Sequence, residues 1–247
     1  MLIDLRSRAE LRALTGPGDA FARLDPSEEL RGWGQADGTV AVIRASSFRP
    51  PSLFVWGPDV AGLLDALIDE DVVGRFELAG VSVPYPARDE VTARFAVAGG
   101  GDWDWMWTDR PTPRAPGSHV PLVALDDTRD AAEIAALGAE NPRFEGVPGQ
   151  GYNDRWLGVR DADGTLVACG AVQRLPAGTA HLGGILVASD HRRRGLGTAI
   201  SAALTDDIVR AEGVCTLGMY SDNDAARALY TRLGYTTDKS WASRRLA

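Results

Sequence analysis

The chain of 247 residues carries 26 bases against 34 acids, a formal net charge of −8, with 45% hydrophobic and 24% charged residues. That length fits one large or two modest domains, and the composition is that of a globular protein. The acidic balance excludes a protein that binds nucleic acid by neutralising phosphates in bulk, so no nucleic-acid partner is expected.

No stretch nears the roughly 20 apolar residues of a membrane helix. Met1-Leu2-Ile3-Asp4-Leu5-Arg6 does not read as a signal peptide, so the cytoplasm is the expected compartment and no membrane partner is expected. Cys169 and Cys215 are too few for a disulfide framework, and His119, His181 and His191 show no metal-ligand spacing, so no metal is expected. Of the 26 bases only Lys239 is a lysine, and Asp238 before it rules out a P-loop. No G-x-S-x-G elbow occurs.

Residues 110–117, Arg-Pro-Thr-Pro-Arg-Ala-Pro-Gly, hold three prolines within six positions, an extended stretch that ends helix and sheet alike. A boundary here separates an N-terminal part, 1–115, with 12 bases and 18 acids, from a C-terminal part, 116–247, with 14 and 16. In the first part Gly38–Arg44 and Ser52–Trp56 read as strands. Pro58–Glu70 reads as a helix with Leu63, Leu64, Leu67 and Ile68 along one stripe, and Phe76–Val83 as a further strand. Beyond Gly99-Gly100-Gly101, Trp103, Trp105 and Trp107 recur every second residue, which puts three indoles on one face of a strand. Such apolar area suits a core or an interface between the parts, or the wall of a cleft.

In the second part Val120–Leu125 reads as a strand and Asp127–Leu137 as a helix with Asp126 or Asp127 near its N-cap. An irregular Gly- and Pro-containing segment follows, with Glu140, Glu145 and Asp154 in or beside it. Trp156–Arg160 and Thr165–Arg174 form a hairpin about Asp163-Gly164. His181–Val187 is a strand, and Gly195–Glu212 a helix with Leu196, Ile200, Leu204 and Ile208 every fourth residue, ended by Gly213. Val214–Tyr220, helix Asp224–Leu233 and Tyr235–Trp241 complete a mixed α/β order, β-α-β-β-β-α-β-α-β.

The stretch Val187-Ala188-Ser189-Asp190-His191-Arg192-Arg193-Arg194-Gly195-Leu196-Gly197-Thr198 takes a strand through a basic turn into a helix. Free amides at a helix N-terminus, the positive end of its dipole and three arginines make an anion site. Gly195 and Gly197 would let a phosphate approach without Cβ interference. A dinucleotide fingerprint is excluded, because G-x-G-x-x-G needs glycine where Ile200 stands.

With these residues the C-terminal part resembles the GNAT superfamily of N-acetyltransferases. Arg192, Gly195 and Gly197 fill its [QR]-x-x-G-x-[GA] motif, and Asn223, Ala226, Leu229, Tyr230, Gly234 and Tyr235 fill N-x-x-A-x-x-L-Y-x-k-x-G-[FY]. The two motifs stand in the family's order over roughly residues 120–247. The resemblance implies a GNAT fold with acetyl-CoA as cosubstrate. Arg192 and the amides of Arg193, Arg194, Gly195, Leu196, Gly197 and Thr198 would hold the pyrophosphate. The main chain of Ile185, Leu186 and Val187, on a strand that the family splays from its neighbour, would pair with the pantetheine arm, which Asn223 would also contact.

Tyr230 takes the position that in many members protonates the departing thiolate; the other reading is a core aromatic. His181 stands where some members carry a glutamate base, and its imidazole suits that task; the other reading is a structural histidine. The N-terminal part lacks both motifs. It resembles the silent half of tandem GNAT proteins and of those whose C-terminal half is FR47-like, the other reading being an unrelated α/β cap over the acceptor cleft. The implied activity is direct transfer of an acetyl group, in a ternary complex, to a primary amine of a small molecule or peptide. The competing expectation is a non-catalytic acyl-CoA-binding sensor of the same fold.

Overall fold

The computed structural model describes residues 2–46, 49–112 and 120–247. The proline-rich boundary at 113–117 and His119 therefore lie outside the described residues. The first half runs β1 (Ile3–Ser7), α1 (Arg8–Thr15), α2 (Ala20–Leu24), β2 (Glu29–Gly34), β3 (Val40–Ser46), β4 (Arg49–Trp56), α3 (Val60–Asp69), α4 (Val72–Arg75), β5 (Gly80–Pro84), α5 (Arg88–Thr92) and β6 (Val97–Thr108). The second runs β7 (Val123–Leu125), α6 (Ala131–Ala139), β8 (Asn153–Arg160), β9 (Leu166–Arg174), β10 (Ala180–Val187), α7 (Leu196–Glu212), β11 (Cys215–Tyr220), α8 (Asp224–Arg232) and β12 (Thr236–Leu246).

All described strands join one sheet in the order β1-β2-β3-β4-β5-β12-β6-β11-β10-β9-β8-β7. The order is the same read inwards from either edge, five strands of one half followed by the last strand of the other. β4 and β5 are parallel, as are β10 and β11. The exchanged strands β6 and β12 pair antiparallel along the middle, with Trp103 opposite Trp241. Each half of the sheet is thus completed by a strand from the other half of the chain.

The tryptophan strand binds the halves together. Trp105 and Trp241 are fully buried with Phe21, Phe54 and Trp56, and Phe21 meets Trp105 edge to face at 5.4 Å and Trp241 at 5.0 Å. Burying such rings contributes about 0.5–1.5 kcal/mol per pair beyond the apolar area itself. Trp103 donates its indole N–H to Ser243 Oγ at 2.8 Å, and Trp107 lies under the Arg23 guanidinium.

Helix α7 buries Ile200, Leu204 and Ile208 on the sheet, a contribution of about 1.5–3 kcal/mol per side chain. Gly170 on β9 makes room for this, since a Cβ there would stand 2.7 Å from Ile200. α3 buries Leu63, Leu64 and Leu67, whereas Ile68 is 39% exposed and lies off the expected stripe. α6 begins at Ala131, four residues after the expected start. Asp127 instead ties down the irregular segment, accepting from Trp156 Nε1 at 2.7 Å and from the Gly149 and Gly151 amides at 3.1 and 3.0 Å. Burial pulls its carboxyl upward, but these bonds and that of Asn153 hold it below the usual range.

Candidate functional site

Strands β10 and β11 pair over only two rungs, His181 with Thr216 and Leu182 with Leu217. Beyond them the strands part. A register slip between Gly183 and Leu186 bends β10 while it stays paired to β9 at Leu186 and Val187. Gly184 in this bend has φ +61°, and a Cβ on it would stand 3.2 Å from the Trp156 ring. The segment Ile185, Leu186 and Val187 therefore borders a gap at the carboxyl end of two parallel strands, the place where open α/β sheets receive ligands.

The gap faces the turn into α7. Gly195 is the N-cap at φ +79°, a left-handed backbone that glycine adopts at little cost, and no side chain caps the helix. The first amides of α7, on Leu196, Gly197 and Thr198, have no carbonyl one turn earlier to bond within the helix. Arg193 is also left-handed, at φ 62°, a conformation costing a non-glycine residue about 1–2 kcal/mol. Arg192 Nε donates to Val187 O at 3.3 Å and Arg194 donates to Asp190 O at 3.1 Å, so these two brace the turn they stand on. Arg193 is exposed and pairs with no acid among the described residues. Two acids temper the site. Asp190, held below the usual carboxylate range by the His191 ring beside it, is one; Glu140, which accepts from the Ser189 amide at 3.2 Å, is the other.

The glycines differ in what they do. A Cβ on Gly195 would project into open space, so conformation is what demands glycine there. A Cβ on Gly197 would point at β10, 3.5 Å from Val187 and 3.8 Å from Ile185, so its smallness serves the close approach of helix to strand.

Tyr230 and His181 lie on opposite faces of the sheet. Tyr230 is 8% exposed on α8, edge to face with Tyr235. Tyr235 in turn bonds Thr205 of α7 at 2.8 Å, which places both rings on the α7 side. Burial pushes the Tyr230 phenol up to about 12, with the Ser201 side chain pulling the other way, so at neutral pH it is a proton donor. His181, half-buried, lies on the other face, its Nδ1 2.9 Å from Thr216 Oγ1. Asn223 is the N-cap of α8, its side-chain oxygen accepting from the Ala226 amide at 3.0 Å. α8 is held further by Arg227, 2.5 Å from the buried Asp104 carboxylate of β6 and 2.8 Å from Ser221 O.

On the His181 face a cleft of about 670 Å³ opens between the halves, lined by Tyr85, Gly101 and Asp102 from the first and Arg143, Tyr220 and Asp222 from the second. Arg143 grips Asp222 with two bonds of 2.5 and 2.8 Å and lies over the Tyr220 ring. Tyr220 O–H donates to Glu145 at 2.8 Å. Of the three loop acids, Glu145 thus stands at the cleft, Glu140 at the helix turn, and Asp154 pairs with Arg174 at 2.5 Å on the outer surface. Sequence reasoning passed over Arg143, Tyr220 and Thr216. The alternation Thr216, Gly218, Tyr220 along β11 was the signal that could have found the last two. Among the described residues no helix is long and apolar enough to cross a membrane, and no group of three or more His, Cys, Asp or Glu is placed to hold a metal.

Residues 156–246, from β8 to β12, match the FR47-like protein family, and the fold is the one found in solved GNAT acetyltransferases. Solved structures of low identity share the architecture over nearly the whole chain. A GCN5-related N-acetyltransferase from Sphaerobacter thermophilus is 18% identical, with 99% of this chain and 95% of that one covered at a TM-score of 0.56. One from Kribbella flavida is 16% identical, with coverages of 96% and 95% and a TM-score of 0.57. A tandem GNAT protein from the clavulanic acid biosynthesis pathway is 17% identical, with coverages of 99% and 97% and a TM-score of 0.52. No curated protein matches by sequence.

Proposed function

We propose that the protein transfers an acetyl group from acetyl-CoA to a primary amine of a small molecule or peptide, directly and in a ternary complex. The observation that carries this is the parting of β10 and β11 in front of an uncapped, arginine-flanked helix start. Amides of Leu196, Gly197 and Thr198 hold the pyrophosphate, and the free edge of Ile185–Val187 aligns the pantetheine arm. Acetyl-CoA supplies an acyl group activated by its thiol leaving group.

The chain's part in the chemistry is to move two protons. His181 takes one from the amine nitrogen as it attacks the thioester carbonyl, and Tyr230 gives one to sulfur as the C–S bond breaks. The first half holds no acetyl-CoA; Tyr85, Gly101 and Asp102 make it one wall of the acceptor cleft. Acids at that cleft and the net charge of −8 favour a cationic acceptor. CoA release by the intact protein over a panel of primary amines tests the proposal. Tight acetyl-CoA binding with no release above the rate of hydrolysis would make the chain an acyl-CoA sensor instead.

A further inference from the structure

β11 runs through the interior of the sheet, with Cys215, Thr216, Leu217 and Met219 all buried, yet Gly218 is exposed. A Cβ at 218 would stand 3.4 Å from the Trp103 ring and 3.8 Å from His181 Nε2. The missing side chain therefore opens a pit in the sheet, with an indole on one side and the imidazole on the other. Strand alternation puts Thr216, Gly218 and Tyr220 on one face, so the pit continues from the cleft that Tyr220 lines.

The hydrogen bonds decide which nitrogen of His181 meets the pit. Thr216 O–H is spent on the Ala180 carbonyl at 2.9 Å. Its oxygen can then only accept from His181, at 2.9 Å, which makes Nδ1 the protonated nitrogen. The lone pair is left on Nε2, the atom beside the pit.

We propose that the pit over Gly218 seats the acceptor's amino nitrogen, and that Thr216 is the positioning residue that keeps the His181 Nε2 lone pair turned to it. This rests on acetyl transfer to an amine at this site. It narrows the acceptor to a primary amine on an unbranched methylene, because the space is that of an absent side chain and the indole face suits a methylene or an ammonium group.

Nitrogen-15 spectra of the intact protein, with His181→Gln assigning the signal, read the tautomer without any turnover. The expected result is Nδ1–H in the wild type and in Thr216→Ser, and a mixture of tautomers in Thr216→Val. Gly218→Ala keeps the fold, since both contacts of the new methyl are ordinary ones. It lowers kcat/KM for n-butylamine by roughly tenfold or more, the scale of one misplaced methyl group, and leaves acetyl-CoA affinity by calorimetry as it was. The wild type prefers n-butylamine to tert-butylamine. An Nε2–H tautomer in the wild type, or one that Thr216→Val does not disturb, overturns the positioning role. Turnover that Gly218→Ala leaves intact overturns the seat alone. Acetyl-CoA bound with no CoA release from n-butylamine overturns the acyl-transfer reading, and the seat with it.

Discussion

Helices α3 and α7 occupy equivalent places in the two halves, each lying between the parallel strands of its half, and their N-termini could hardly differ more. At α3 the chain is Gly57-Pro58-Asp59, and the Asp59 carboxylate accepts from the Gly62 amide at 3.0 Å. The Asp59 amide itself goes to Thr39 Oγ1 at 2.9 Å, and Gly57 is pressed so close to β3 that a Cβ would stand 2.4 Å from Thr39 Cα. An acid thus sits where an anion would have to bind. At α7 the cap is a left-handed glycine without a side chain, and arginines stand in place of the acid. Topology alone therefore does not make an anion site. The same strand–turn–helix leaves room for one only where the cap leaves its amides and its dipole unanswered.

The greatest effect expected follows from the exchanged strands. Expressed separately, 1–115 and 116–247 each leave β6 or β12 without a neighbour, and neither should unfold cooperatively in calorimetry, whereas co-expression should restore the transition. A fragment 116–247 that folds alone and binds acetyl-CoA would show β6 to be dispensable.

Tyr230→Phe should lower kcat by about 10- to 10³-fold with little change in acetyl-CoA affinity. Full activity would leave Tyr230 a packing residue. Because burial raises the phenol to about 12, no loss of kcat traceable to it should appear below about pH 11. The folded state also keeps this proton longer than the unfolded chain, whose value is about 10. Its contribution to stability is therefore constant up to about pH 10 and falls from there to about pH 12, measurable as a falling Tm that Tyr230→Phe flattens.

At the helix start, Gly195→Val combines backbone strain with a side chain in front of the turn, and should weaken acetyl-CoA by at least about 2 kcal/mol, roughly 30-fold. Gly197→Val should act by pushing α7 off Val187 and Ile185, and so lower stability as well as affinity. Unchanged calorimetric affinity in the folded Gly195 variant would remove the assignment of the phosphate turn.

The smallest effect tests the other helix. Asp59→Ala should cost about 1 kcal/mol of stability, the worth of an N-cap, while titration still gives one acetyl-CoA per chain. A second equivalent of binding would mean that the cap was all that kept α3 silent.

The second half was legible where the physics is local. The hairpin turn at Asp163-Gly164, the four-residue stripe of α7 and the capping glycine at 213 each announce themselves within a few residues. In the first half β1, α1, α2 and β2 went unread. The capping box of α1 was in view: Ser7 Oγ accepts from the Glu10 amide at 3.2 Å, and Glu10 answers the Ser7 amide at 3.1 Å. Its helix is only eight residues long with Leu11 as its one buried side chain, too little for a stripe to show. β12 was expected to stop at Trp241, but it runs to Leu246, because Ser243, Arg244 and Arg245 are drawn on by pairing with Gly99–Gly101 rather than by an apolar pattern of their own.

What the sequence by itself determined is the set of local devices: the arginine- and glycine-bearing turn from strand into α7, the motif helix α8, the elements that bound them, and the three indoles on one strand face. Each depends on spacing over fewer than about 20 residues, and spacing of that kind is written directly in the chain. Which half of the chain supplies the last strand of each half of the sheet was decided only by the tertiary structure. So were the opposite faces of Tyr230 and His181 and the joining of Tyr85 to Tyr220 around one cleft. The pairing of β6 with β12 closes about 130 residues of chain, and backbone hydrogen bonds in a sheet are indifferent to sequence. The choice of partner came instead from burying Trp103, Trp105 and Trp241 together with Phe21 and Phe54, an energy that exists only once all the elements have met.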